Sequence, residues 1–404
     1  MKILAINKFF YRFGGVESHY FSLINLLQQH GHEVVPFAMQ HPSNAESPWA
    51  SFFVSQVDYR NLKGLAAVKA ALRSIYSREA RLKLRKLIQT MRPDISHLQH
   101  IYHQISPSII YELNRNNIPI VQSLHDYKLV CPNYKLYIEH KGEVCYKCYR
   151  KRYYNTIFQK CINHGLGASL IATIEAYLYS AAQTYHKFVR HFITPSKFLM
   201  ERLLEVDIPR SRISVMYNFI DTKCWTPIYG GEYLLFVGRL VSEKGVHFLL
   251  QAAAKVKKVN IYIVGTGPEE DRLRQKAADL PNVRFLGWLD PESIKVLFSG
   301  ALCVVVPSIW HDVAPLVIQE AYAAGKPVIG TAMGGIPELI EHEETGLLIP
   351  PQDPDALAEA ICRLANNSKL AVQMGRAARR RAETLYSPEL YYQKLLEIYS
   401  GLIN

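Results

Sequence analysis

The sequence predicts an α/β protein with two doubly wound parallel sheets, one in each half of the chain. Three observations carry that prediction. Short β-branched runs alternate with helical periodicities along the 404 residues, the pattern of βαβ units. The alternation occurs twice, with an interruption from Asn218 to Gly231 where Pro227, Gly230 and Gly231 break it. The length also suits two or three domains, each large enough for its own core. Sheets of this kind take ligands at the carboxyl ends of their strands.

In the first half, Lys2 to Ile6 reads as a strand, Gly15 to Gln29 as a helix and Glu33 to Ala38 as a second strand. Ile95 to Leu98 and Ile118 to Leu124 are further strands, followed by an irregular and helical insertion at about 127–165. Phe192 to Pro195 and Ile213 to Tyr217 complete a first domain over 1–218. The second domain, 231–387, reads Tyr233 to Val237, Ile261 to Val264, Val283 to Leu286, Leu302 to Val306, Val328 to Ile329 and Leu347 to Ile349. An amphipathic helix within 388–404 has no strand after it and is expected to return to the first domain.

Composition is that of an ordinary soluble enzyme, with 49% apolar and 20% charged residues. The opening residues are too briefly apolar for a signal peptide, and no small-residue cleavage site follows. Gly165 to Tyr185 is the most membrane-like stretch, but Glu175, Gln183 and its hydroxyl side chains argue for a buried or interfacial helix. The chain reads as cytoplasmic.

The net charge of +12 is unevenly placed. Lys63, Lys69, Arg73, Arg78, Arg81, Lys83, Arg85, Lys86 and Arg92 oppose the single Glu79 between Asn61 and Arg92. Leu65, Val68, Leu72 and Ile75 recur beneath them at helical spacing, which describes a basic amphipathic helix. A solvated helix face and attraction to anionic lipid headgroups both fit this pattern. Nucleic acid is disfavoured, because no recognition module accompanies the charge.

The stretch Pro307 to Ile329 carries most of the chemistry. It follows the apolar run Cys303 to Val306, opens a helix near Pro315 and closes it at Gly325. Asp312 and Glu320 lie eight residues apart in that stretch. Were both helical they would stand roughly 12 Å apart. Hydrolytic carboxylate pairs stand only about 5 to 10 Å apart, so two acids flanking one bond fit poorly. Two acids at opposite ends of a long ligand fit better, with the helix N-terminus between them. A nucleotide sugar has that shape, its diphosphate over the free N–H groups.

Other constellations agree. Gly14-Gly15 separates the first strand from its helix, where backbone can approach a phosphate closely; a simple tight turn is the alternative. Gly265-Thr266-Gly267-Pro268 is a weaker glycine signal, and no G-x-G-x-x-G points to a nicotinamide cofactor. Arg239 and Lys244, five residues apart at a strand end, could neutralise a diphosphate leaving group. His125-Asp126 ends the strand Ile118 to Leu124, where a histidine can hydrogen-bond a reacting sugar or serve structure alone. Trp288 could pack near a nucleobase or cap the core.

Of the seven cysteines, Cys224, Cys303 and Cys362 are scattered. Cys131, Cys145, Cys148 and Cys161 fall in the insertion, around the knuckle Cys145-Tyr146-Lys147-Cys148. A tetrahedral structural zinc site, reduced thiols without metal, and a disulfide or redox pair are the readings left open. The Tyr- and Lys/Arg-rich run Tyr146 to Tyr154 suits an interface with headgroups or a glycan.

Taken together, the chain resembles the retaining family-4 glycosyltransferases with the two-domain GT-B fold. The resemblance rests on Gly14-Gly15-Val16-Glu17, His125-Asp126, Val237-Gly238-Arg239-Leu240, Glu243-Lys244-Gly245, Val264-Gly265, Gly267-Pro268, Phe285-Leu286-Gly287 and the Asp312-to-Glu320 element with Ala321. It implies a UDP-, GDP- or ADP-sugar held by the second domain and a glycan or lipid-linked acceptor held by the first. Glu320 would bind the ribose, Arg239 and Lys244 the diphosphate, and Asp312 with the backbone of Val313, Ala314, Pro315 and Leu316 the transferred sugar and phosphate. Gly14 and Gly15 would close over the phosphates, with His125 beside the sugar. Such enzymes need no metal at the reaction centre. Family members most often carry Glu where this chain has Asp312, and the cysteine insertion is not general to them. The expected role is cell-surface polysaccharide synthesis, with peripheral attachment to the cytoplasmic face of the membrane. The rivals are a sugar-nucleotide epimerase or hydrolase of the same fold, and a non-catalytic glycan- or membrane-binding protein.

Overall fold

The computed structural model describes residues 1–59, 64–162 and 165–403; Asn61 and Lys63 of the basic stretch lie outside the described residues. In chain order the first half holds β1 (Lys2–Ile6), β2 (Glu33–Phe37), β3 (Ile95–Leu98), β4 (Ile120–Ser123), β5 (Tyr137–Ile138), β6 (Glu143–Val144), β7 (His191–Thr194) and β8 (Ile213–Val215). β5 and β6 pair with each other, antiparallel. The rest form one parallel sheet in the order β2-β1-β3-β4-β7-β8. The second half holds β9 (Tyr233–Val237), β10 (Asn260–Val264), β11 (Val283–Gly287), β12 (Ala301–Val306), β13 (Val328–Thr331) and β14 (Gly346–Ile349). They form a second parallel sheet, β11-β10-β9-β12-β13-β14. Central strands such as β3, β4 and β12 are buried along their whole length, as continuous apolar runs covered on both faces should be.

Helices cover the sheets with 3.6-residue stripes. α1 (Gly15–Gln29) buries Tyr20, Leu23, Ile24 and Leu27. The helix Pro388–Ile403 leaves the second domain and lays Tyr391, Leu395 and Tyr399 into the same cluster as Ile3, Tyr20 and Leu23. Tyr399 meets His97, and Tyr392 meets His32 at 2.8 Å.

Three readings need correction. The basic stretch is two helices, α2 (Gly64–Ile75) and α3 (Arg78–Met91), with Ser77 capping the second by accepting from the Ala80 amide. α3 supplies the core contacts through Leu84, Leu87, Ile88 and Met91, so α2 sits outside it. Leu65, Val68 and Leu72 are consequently exposed rather than lying under the charges, and only Ile75 packs inward. Much of the charge is also structural: Arg81 and Arg85 clamp the buried Glu112 at 3.0 and 2.7 Å, while Arg73 and Lys83 hold Glu79. The insertion contains the β5–β6 hairpin, which alternation did not announce because each strand is two residues long. Gly165 to Tyr185 breaks into helices Leu166–Ala181 and Thr184–Phe188, with Glu175 buried against Lys128 at 2.7 Å. Among the described residues no helix is long and apolar enough to cross a membrane.

Candidate active site in the interdomain cleft

In each sheet the strand order reverses at one point, between β1 and β3 and between β9 and β12. Ligands of doubly wound sheets bind in the crevice outside the strand ends at such a point. In the second domain the loops leaving β9, β10 and β12 converge there. Two glycines make that convergence possible. Gly265 has φ 127°, and a Cβ on it would lie 2.0 Å from the Gly238 carbonyl oxygen. Gly245 has φ 69°, and its Cβ would lie 1.9 Å from the Pro307 carbonyl oxygen. Any side chain at either position would separate the loop carrying Arg239 and Lys244 from its neighbours.

Pro315 is the N-cap of the helix Leu316–Ala323, so Asp312 precedes the helix and Glu320 lies in its second turn. Asp312 is buried and ion-pairs with Lys244, whose ammonium also stands 5.8 Å from the Trp310 ring centre. The sequence reading separated this pair, giving Asp312 to the sugar and Lys244 to the diphosphate. Their meeting is what a buried carboxylate demands, since an unpaired one is costly. Glu320 is partly buried and has no ion pair among the described residues. Burial pushes its carboxyl up to about 7. Arg239 is exposed and likewise has no ion pair among the described residues. Trp288 is 73% exposed and caps no core, because β11 is an edge strand whose loop points to solvent.

The first domain closes on this helix start. Gly14 is the N-cap of α1, and a Cβ on Gly15 would lie 3.4 Å from Leu316 Cδ1. Val313 is buried in a first-domain cluster with Leu124 and Tyr127, at the end of β4. Across the opposite edge, Glu338 accepts from the Lys197 and Phe198 amides at 2.7 and 2.8 Å, capping the first-domain helix Lys197–Leu204. His125 follows β4, and its Nε2 meets Gln99 Oε1. The His19 and His100 rings lie 5.4 and 5.8 Å from it. Burial first, then His19, His100 and His97, holds its pKa well below the ordinary histidine value, so the ring is neutral. Asp126 Oδ2 stands 3.2 Å from His100 Nε2, and its Oδ1 accepts from the Lys128 amide at 2.9 Å. Burial alone would raise its pKa, but His100, the Lys128 amide and Lys8 together bring it down. Sequence reasoning missed His100 and Lys8; both directly follow strands of the first sheet, at positions the strand-end rule could have flagged.

The four insertion cysteines lie near one another, but among the described residues no group of three or more His, Cys, Asp or Glu is placed to hold a metal ion. The expected zinc ligands Cys131, Cys145, Cys148 and Cys161 are not so grouped among the described residues. The Cys131 and Cys148 thiols hydrogen-bond to each other, and Cys148 Sγ stands 3.5 Å from Thr156 Oγ1. Cys131 is pushed up first by its bond to Cys148 and then by burial, while burial raises Cys145 and takes Cys161 to about 12. The seven cysteines are free, with no disulfide among the described residues.

Two facing parallel-sheet domains, with strand ends converging on one cleft, define the GT-B fold. Solved structures of that architecture superpose over nearly the whole chain. Sucrose-phosphate synthase from Thermosynechococcus elongatus aligns with a TM-score of 0.74 at 20% identity, covering 99% of this chain and 98% of that one. HepE from Anabaena, solved in complex with UDP and glucose, aligns with a TM-score of 0.69 at 19% identity, covering 99% and 100%. Residues 13–223 match the family model described as Glycosyltransferase Family 4, and 227–381 the model described as Glycosyl transferases group 1. The chain belongs to glycosyltransferase family 4. Curated relatives include O-antigen chain mannosyltransferase C of Escherichia coli, 32% identical over 184 residues, 45% of this chain and 49% of that protein. The amylovoran biosynthesis glycosyltransferase AmsK of Erwinia amylovora is 30% identical over 224 residues, 51% and 55%. The chain spans about half the length of the curated relatives it matches.

Proposed function

We propose that the protein is a retaining hexosyltransferase that moves a sugar from a nucleotide-sugar donor to a glycan or lipid-linked acceptor during cell-surface polysaccharide synthesis. One observation carries this reading: the Lys244–Asp312 pair precedes the helix Leu316–Ala323, which carries Glu320 in its second turn and whose first residue the Gly14-Gly15 turn of the other domain touches. The complexes of HepE with UDP and UDP-glucose support the donor class, and the O-antigen and amylovoran relatives support the pathway class.

The chemistry follows from the groups present. Glu320, which has no ion pair among the described residues, is suited to accept from ribose hydroxyls. Arg239, Lys244 and the N–H groups of Val313, Ala314 and Leu316 would offset the charge that develops on the departing diphosphate. Asp312 would give up part of its bond to Lys244 and accept from a hydroxyl of the transferred sugar. The acceptor hydroxyl would attack on the face the diphosphate leaves, passing its proton to the leaving phosphate oxygen, so configuration is kept without a covalent nucleophile. His125, being neutral, can hydrogen-bond the sugar from the acceptor side. No step is routed through a metal.

A membrane-bound acceptor accords with the exposed face of α2. Leu65, Val68 and Leu72 lie exposed there, and Tyr179 of the neighbouring helix Leu166–Ala181 donates to the Ile75 carbonyl oxygen. That helix exposes Leu166, Leu170 and Leu178. With Lys69, Arg78 and Lys86 nearby in sequence, this surface suits the anionic cytoplasmic leaflet.

Calorimetric titration of UDP, GDP and ADP, with their sugars assayed for transfer to lipid-linked acceptors, tests the reading. One nucleotide should bind, and turnover should require acceptor. Donor breakdown without acceptor would favour an epimerase or hydrolase. Binding of none of the nucleotides would favour a non-catalytic protein.

A further inference from the structure

The cysteine insertion reaches across the cleft at two points, and each point adjoins a donor-site residue. Lys135, just before β5, places its Nζ 2.8 Å from Glu243 Oε1 of the second domain. Glu243 is buried, precedes Lys244 in the chain, and its carbonyl oxygen accepts from the Ile309 amide at 2.9 Å. Tyr146, inside the knuckle Cys145-Tyr146-Lys147-Cys148, bonds through its hydroxyl to Nε2 of His311, the residue before Asp312. The second contact is reinforced: the His311 ring stacks on Phe198 of the first domain with centroids 4.6 Å apart. Arg202 stands 6.0 Å from the Tyr146 ring and 5.2 Å from that of Phe198.

The ionisation states suit this geometry. Burial first, then Arg202, brings His311 down to about 4, so its Nε2 is a neutral acceptor for the tyrosine hydroxyl. Lys135 is held above its ordinary value by Glu243 against the opposing effect of burial. Glu243 is held below its own by Lys135, again against burial. The thiols explain how a loop with little core of its own can aim Tyr146. The Cys145 amide donates to the Leu136 carbonyl at 2.8 Å, tying the knuckle to the hairpin. On its other side, Cys148 is fixed by Cys131 and Thr156.

We infer that the insertion is an interdomain strap, with Lys135 and Tyr146 as positioning residues that preset Lys244 and Asp312 for the donor. The inference rests on the donor-site reading above. Neither residue touches the donor; each holds the residue beside one that does. A strap of this kind raises the fraction of molecules whose donor loops are already in place, and apparent donor affinity scales with that fraction. It should therefore act on the KM for donor and leave kcat nearly unchanged.

The test is a comparison of wild type with the double variant Lys135→Met, Tyr146→Phe. Hydrogen exchange of residues 240–247 and 308–316 should speed up several-fold. The donor KM should rise about tenfold, with kcat and Tm close to wild type. The charge swap Lys135→Glu with Glu243→Lys should return the KM toward wild type, whereas Lys135→Glu alone should not. Exchange or KM staying at the wild-type value in the double variant overturns the strap, and so does failure of the swap to rescue. If the wild type takes no nucleotide sugar, the donor-site reading fails instead, and the exchange rates alone decide whether the insertion holds these loops.

Discussion

Replacing Glu320 by glutamine separates what the site needs from what the fold would prefer. The carboxyl titrates at about 7 in the fold against 4.5 ordinarily. Between those values the folded chain keeps a proton that the unfolded chain has released, so stability falls as pH rises through that window. The full cost, about 3 kcal/mol, is present above pH 7 and absent below 4.5. Glu320→Gln removes the titrating charge. In urea unfolding followed by tryptophan fluorescence, the variant should be more stable than wild type at pH 8, by up to about 3 kcal/mol. The gain should vanish toward pH 4.5. Nucleotide binding should move the other way. Hydrogen bonds to a charged group contribute about 1.5–3 kcal/mol, so the variant should bind the nucleoside diphosphate about 10- to 150-fold more weakly at pH 8. Wild-type affinity should itself decline below pH 7 as the carboxyl takes up its proton. A variant with unchanged stability at both pH values and unchanged nucleotide affinity would refute the reasoning, because Glu320 would then be neither strained nor in contact with the ribose.

Further outcomes follow from single contacts. Arg239→Ala should leave stability unchanged, since the side chain is exposed and has no ion pair among the described residues. It should weaken nucleoside diphosphate binding about tenfold while leaving binding of the bare nucleoside alone, as calorimetry would read. Gly265→Ala should destabilise the second domain by roughly 3 kcal/mol, because its φ and the Gly238 carbonyl both oppose a Cβ; denaturant midpoints give the value. Leu65→Ser, Val68→Ser and Leu72→Ser together should cut sedimentation with anionic phospholipid vesicles at least tenfold without loss of secondary structure.

The sheets were legible because buried parallel strands are continuous apolar runs that nothing else in the chain imitates. α1 begins and ends at the residues its periodicity gives, Gly15 and Gln29. The helix after Pro315 was legible too, since proline at its start and Gly325 just beyond its end are local signals. Contacts between remote residues were not. Lys244 and Asp312 are 68 positions apart, and nothing local says that they meet. Tyr146 and His311 are 165 positions apart, on different domains. The exposed stripe of α2 failed for a related reason: periodicity says which residues share a face, not whether another helix already fills the core. The cysteine spacing gave proximity, but not that the Cys131 and Cys148 thiols would hydrogen-bond to each other.

The central claim is that a sugar nucleotide lies lengthwise along the start of the helix Leu316–Ala323. A crystal structure with the nucleoside diphosphate that binds in calorimetry measures it most directly. The account predicts the ribose on the Glu320 carboxylate, with the diphosphate between Arg239, Lys244 and the N–H groups of Val313, Ala314 and Leu316. A nucleotide bound elsewhere, with the Lys244–Asp312 pair and Glu320 untouched, would contradict it.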